Sequence, residues 1–452
     1  MTTTTTPRSL TPPATRRAGV RGPAAALLAF LVVLPLEWTA VVGAAGGFIK
    51  PFHLAAAVLV VVCVARWRPA RLVGPVWHRH VGVFGAYAVV LAIAGAATVA
   101  RADPVVPLDL VLRQMAYAAA TIVMTGCVAL VAGTAAQRWL AFSGVTATAV
   151  LLVGLAVALA KQSINPLTLL TDALARADPD VISYQLLRTV FRTDADLTEV
   201  AANLRHKVFV GLLVAVYLGL ACSAMINRRQ RLLRAVLAAG AALGFLLVLV
   251  SLSRSTILCM AVPPVLFLLR LLLRNRARPG QVAGVVVAIA AALAAAVSPL
   301  GDLLTARFAD TASYTARLTA AGPSFVDQLA HSALLGTDGA SVGTTPHNAI
   351  LNAWLAGGVL AAVAATVMLV AFLAVWLREL RRYLTDGPGW VLQVGQLWVL
   401  AIGATFLVRS FSSGNQFHMV DLTAMGLFLG LTFANERAAR ATSGPGLQPG
   451  AR

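Results

Sequence analysis

Runs of about twenty apolar residues recur along the whole chain, and each is long enough as a helix to cross the hydrocarbon core of a bilayer. They fall near 23–43, 51–66, 80–100, 108–133, 139–160, 208–226, 235–253, 256–273, 280–299, 348–377, 389–409 and 418–435. Inside lipid a segment must pair its own backbone polar groups, so runs of this length are read as helices. With 59% hydrophobic and 12% charged residues, the 452-residue chain also lacks the charge that a soluble protein of this size needs for its surface. The expectation is an all-α polytopic membrane protein with about twelve transmembrane helices.

A net charge of +19 would suit a nucleic-acid partner, but its distribution argues against one. Arginines cluster at alternate connections, as in 66-RWRPAR-71, 228-RRQR-231, 274-RNRAR-278 and 378-RELRR-382. The intervening connections are poor in Arg or rich in Asp. This is the positive-inside pattern, and it places both termini in the cytosol. Residues 1–22 read as a disordered cytosolic tail, 23–435 as one multi-span domain, and 436–452 as a second cytosolic tail. Two connections, 161–207 and 301–347, fall on the external side and are too long to be turns. The second carries apolar residues at helical spacing (Leu303, Leu304, Phe308; Phe325, Leu329, Leu334). That spacing predicts short amphipathic helices on the membrane surface between spans 9 and 10. Cys63, Cys127, Cys222 and Cys259 each sit within an apolar run and read as small hydrophobes.

Polar residues at the mouths of apolar runs are the candidates for chemistry. In Thr345-Pro346-His347-Asn348, Thr345 suits an N-cap and Pro346 the first helical position, which puts His347 in the first turn. The positive helix end then disfavours imidazolium, leaving a neutral base, and attracts anions. A plain polar start to an interfacial helix is the other reading. Asn348 is an orienting group by proximity, and Asn352 lies on the same face. Arg254, in 249-LVSLSRSTIL-258, interrupts an apolar stretch on the external side, against the positive-inside bias. Its fork fits phosphate oxygens, although it could equally snorkel to lipid headgroups. Arg317 and Arg409 are further external arginines, and Arg317 also has Asp310 as a possible ion-pair partner. The carboxylate pairs 178-DPD-180 and 194-DAD-196 sit beside arginines and read as solvated loop acids, so no metal site is assigned. P-loop, HExxH, CxxC and dinucleotide-turn patterns do not occur.

Three stretches together resemble the O-antigen ligase and O-antigen polymerase superfamily of bacterial membrane glycosyltransferases. They are SLSRS at Ser251–Ser255, the segment Tyr314–Gly343, and PHNAILNAWLAGGVLA at Pro346–Ala361. The resemblance implies transfer of a glycan from undecaprenyl pyrophosphate to an acceptor hydroxyl at the external face of the bacterial cell membrane. Neither cofactor nor metal is needed. It makes His347 the general base, and it gives Arg254 and Arg317 to the donor pyrophosphate; Arg409 is added to them from its external position. The partners implied are the polyprenyl-pyrophosphate-linked donor, membrane lipids, and a glycolipid, wall polymer or protein acceptor. A polysaccharide polymerase or a protein O-oligosaccharyltransferase of the same fold is the alternative reading. A transporter or flippase is the competing class, which internal repeats and interrupted helices would favour.

Overall fold

A computed structural model describes residues 20–36, 42–44, 47–101, 108–161, 198–251, 253–274, 298–309, 334–336, 348–385, 390–412 and 418–442, with a few single positions between them. Residues 280–297 of the expected span 280–299 and most of both long connections lie outside these residues. The described helices are α1 (Arg21–Val33), α2 (Pro51–Arg66), α3 (Pro69–Ala100), α4 (Leu108–Val131), α5 (Gln137–Leu140), α6 (Ser143–Lys161) and α7 (Thr198–Cys222). They continue with α8 (Arg231–Val250), α9 (Arg254–Arg274), α10 (Pro299–Ala309), α11 (Ala349–Thr385), α12 (Gln396–Ser412) and α13 (Met419–Thr442). Among the described residues seven helices are long and apolar enough to cross a membrane, and three shorter ones are apolar as well.

The first expected span differs from the structure. Its helix ends at Val33, followed by a 3-10 turn over Leu34–Leu36. Pro35 lies in that turn and can supply no backbone N–H to continue the ladder. A short two-stranded antiparallel hairpin follows, β1 (Val42–Ala44) with β2 (Gly47–Ile49), within an otherwise all-helical architecture. At the other end α13 remains helical to Thr442, into the segment expected to be a tail. Cys63, Cys127, Cys222 and Cys259 are free and buried, as expected.

Two helices form the centre of the bundle. In α7, Val210–Leu218 is fully buried apart from glycine, and α13 is buried along nearly all of its first sixteen residues. Around them α3 packs against α4 and α11, α12 against α9 and α13, and α6 and α8 against α7. The outer helices expose large apolar side chains: Leu232 is 81% exposed, Val99 73% and Leu272 70%. Water would not tolerate such a belt, and acyl chains would solvate it. The chain is a membrane protein.

Antiparallel packing sorts the helix termini into two ends. At the basic end, Arg79 of α3 and Arg378 of α11 both meet the Glu436 carboxylate of α13. Arg382 pairs with Glu379 at 2.8 Å, and the Gln396 amide of α12 donates to the Glu379 carbonyl. Asn435 accepts from the Val391 N–H at 2.8 Å, tying the segment before α12 to α13. The opposite end collects the unusual polar residues.

Candidate functional site

Contacts along the helices show which residues share that second end. Tyr87 of α3 meets Gln114 of α4, while Gly95 faces Val111. Gly357 of α11 packs on Ile93 and Ala94 of α3. Arg409 of α12 bonds to Asp421 of α13 and to Ser255 of α9. Because α4 and α13 run parallel, with Gly426 against Met124 and Gly430 against Val128, the starts of both lie at the same end.

The expected uninterrupted helix at 348–377 is broken. Gly357 (φ −149°, ψ 19°) and Gly358 (φ 71°, ψ −165°) leave the helical region and divide α11 into a short helix, 349–356, and a long one, 359–385. Gly358 has a positive φ that other residues rarely adopt. A Cβ there would overlap the Leu334 carbonyl, and one on Gly336 (φ 82°) would overlap the Leu355 carbonyl. The Leu334–Gly336 segment of the long connection therefore lies directly in the break. A broken helix leaves carbonyls unpaired at its C-terminal end. Arg101, just past α3, supplies donors: Nη1 to Leu355 O and Nη2 to Ala356 O, both at 3.4 Å. A guanidinium is also the favoured charge at that pole of a helix.

The N-terminal end of the short helix is capped by Asn348. Its Oδ1 accepts from the Ile350 N–H at 2.8 Å and the Leu351 N–H at 3.3 Å. Asn348 is therefore the cap of the described helix, which begins at Ala349. Thr345, Pro346, His347 and Arg317 lie outside the described residues. Asn348 thus has a structural task that accounts for its presence, in addition to its proximity to His347.

Serines build the α8–α9 hairpin that presents Arg254. Ser251 Oγ donates to Val248 O at 2.6 Å and accepts from the Ser253 N–H at 3.3 Å, while Ser253 and Thr256 pair through their hydroxyls at 2.8 Å. Each short side chain satisfies a backbone or hydroxyl group at a helix end, where serine is most useful. Arg254 is the first residue of α9 and is partly exposed. Arg409, expected as an external pyrophosphate ligand, is held in a buried ion pair at this end. It is 3% exposed, its Nε lies 3.0 Å from Asp421 Oδ1, and its Nη1 reaches Ser255 Oγ at 3.3 Å. The buried pair joins α12 to α13 and steadies the start of α9 beside Arg254.

Two cavities adjoin this end. An open groove of 490 Å³ between the outer halves of α3 and α4 is walled by apolar residues including Gly95, Val99, Leu108 and Leu112. A smaller cavity of 30 Å³ lies among α3, α4 and the short helix of α11, and shares Leu91 and Val111 with the groove. Its polar lining comes from Tyr87, Gln114 and Asn352. Sequence reasoning missed Arg101, Asp421, Tyr87 and Gln114. Arg101 had a signal, as another arginine at the sparsely charged end of an apolar run. So did Asp421, an acid within the last run. The Tyr87–Gln114 pair had none, because it joins residues on two helices.

Neither a search against protein-family models nor one against curated proteins gave a match.

Proposed function

We propose that the protein is a twelve-span glycosyltransferase of the bacterial cell membrane, with cytosolic termini and its site at the external face. It moves a glycan from undecaprenyl pyrophosphate to an acceptor hydroxyl, without metal, by a single displacement that inverts the anomeric centre. His347 takes the acceptor proton, and Arg254 and Arg317 hold the pyrophosphate as charge develops on it. Arg409, through Ser255, steadies the start of the helix that carries Arg254.

The observation that carries this reading is the placement of Arg254. A cation is disfavoured at the positive pole of a helix by roughly 0.3–1 kcal/mol, whereas an anion there is attracted by both the pole and the guanidinium. It shares its end of the bundle with the Asn348-capped helix that His347 precedes. The apolar α3–α4 groove at the same end suits a polyprenyl chain. The basic residues gather at the other end, in keeping with an external site.

The break in α11 favours a second reading, because transporters use interrupted helices at their substrate sites. Those breaks lie at the bilayer midplane. Here residues 359–385 remain helical for about 40 Å, enough to cross on their own, so the interruption lies at one end. That placement favours the enzyme.

His347→Ala provides the test. Transfer should fall by about 10²–10⁴-fold, the usual contribution of a general base, with lipid-linked glycan accumulating. Full transfer by that variant would overturn the assignment. Mass spectrometry of the lipid-linked pool in a deletion strain separates the acceptor classes. Full-length polymer marks a ligase or protein O-oligosaccharyltransferase, and single repeat units mark a polymerase.

A further inference from the structure

The cavity among α3, α4 and the short helix of α11 contains an unsatisfied group. Asn352 is 5% exposed and lines the cavity, and its Nδ2 is buried with no hydrogen-bond partner among the described residues. A buried donor left unpaired costs about 1–3 kcal/mol, so its retention calls for an explanation. Beside it the Tyr87 hydroxyl donates to Gln114 Oε1 at 3.1 Å, with both residues at most 3% exposed. The remaining walls are apolar and mostly small: four alanines (Ala94, Ala349, Ala353 and Ala356) with Val90, Leu91 and Val111.

We propose that this cavity is a specificity pocket for the acetamido group of an N-acetylated sugar on the transferred glycan. The claim rests on the transfer reading and narrows its substrate class. Three features select the ligand. Among the described residues no charged side chain lines the cavity, and burying an ion among these alkyl walls would be prohibitive, so the ligand group is neutral. The volume of 30 Å³ holds about two water-sized groups, too few for a sugar ring. An acetyl carbonyl and its methyl fit that count. Finally, an amide ligand both accepts and donates. Its carbonyl oxygen takes the Asn352 Nδ2 donor, its N–H, on the opposite edge of the trans amide, is left for the second lone pair of Gln114 Oε1, and its methyl lies against the alanines. A hydroxyl in the same place would leave the methyl-sized space empty.

The position agrees with the chemistry. Asn352 is one helical turn from Asn348, about 6 Å along the short helix. A sugar ring held near His347 could therefore extend a substituent into the cavity. Arg101 and the Leu334–Gly336 segment fix the far end of that helix, which keeps the pocket and the helix start in a constant relation.

The test measures binding and needs no transfer. Full-length protein in nanodiscs is titrated with two synthetic donors, polyprenyl pyrophosphates carrying N-acetylglucosamine or glucose. Wild type should bind the acetamido donor at least about tenfold tighter, the worth of one well-made hydrogen bond in a buried site. Asn352→Leu should bring the two donors to parity, leave the glucose donor unchanged and keep or raise Tm, since it removes an orphaned polar group. Ala353→Leu, which fills the cavity and spares the amides, should also abolish the preference and covers any failure of the first variant to fold. Parity in the wild type, or a preference that survives either folded variant, overturns the pocket and identifies the cavity as a water site. Equal loss of both donors in the variants overturns it too. If the preference holds in binding while His347→Ala leaves transfer intact, the pocket stands and the assignment of the base fails.

Discussion

Arg254 occupies an uncomfortable position for a cation, the first residue of α9, where the helix pole repels it. Arg254→Lys keeps the charge but removes the planar fork that matches two phosphate oxygens. We expect kcat/KM for the pyrophosphate donor to drop about tenfold or more, and Arg254→Ala to drop it further. Activity at the wild-type level in the lysine variant would show that bidentate contact is not required. The neighbouring residues show how far single positions were legible. Arg254 stood out because it interrupts an apolar run. The burial of Arg409 against Asp421 could not be read, because the two belong to different helices and only packing makes them a pair. Asn348 and Thr345 are both good capping residues by type. The choice between them depends on where the helix begins, and the sequence leaves that open by several residues.

Hydropathy located the elements but said little about their interruptions. A window average counts apolar residues and does not register a dihedral angle, so 348–377 read as one helix. The divided α11 follows from the Gly357–Gly358 pair together with partners from elsewhere, namely Arg101 on its carbonyls and Leu334 against Gly358. The glycine pair was visible in the sequence; its partners were not. Gly358→Ala should be costly for two independent reasons, a strained positive φ and overlap with the Leu334 carbonyl. The expected loss is about 2 kcal/mol or more in a thermal or denaturant transition, with transfer falling as the short helix shifts. Gly82→Ala, on the α3 face that packs against α11, provides the control. Its new Cβ would meet only the Ala371 methyl at an ordinary 3.4 Å, and it should be tolerated. Similar Tm values for the two variants would show that the break is not held by these contacts.

The two ends of the whole molecule are held together differently. At one end, hydrogen bonds to open carbonyls and helix caps shape a site. At the other, the arginines that mark topology also cross-link helices, with Arg79, Arg378 and Arg382 from α3 and α11 gathered on Glu379 and Glu436. Glu436 follows the last expected span, 418–435. Burial pushes its carboxyl up, but the hydrogen bond from Arg79 and the charges of Arg378, Arg79 and Arg382 outweigh burial and hold it below its ordinary value. A carboxyl depressed in the folded state binds fewer protons there than in the unfolded chain. Its stabilisation is therefore complete above the unfolded pKa of roughly 4.3 and is lost as pH falls through the lower folded value. Tm should be nearly flat from pH 7 to pH 5 as far as this group is concerned, and should fall below about pH 4.3. Glu436→Gln keeps the shape and removes the charge, leaving Arg79 and Arg378 without their shared partner. It should lower stability at pH 7 by about 1–3 kcal/mol and flatten the acid limb relative to wild type. Parallel acid limbs in the two proteins would mean that another carboxylate governs acid unfolding.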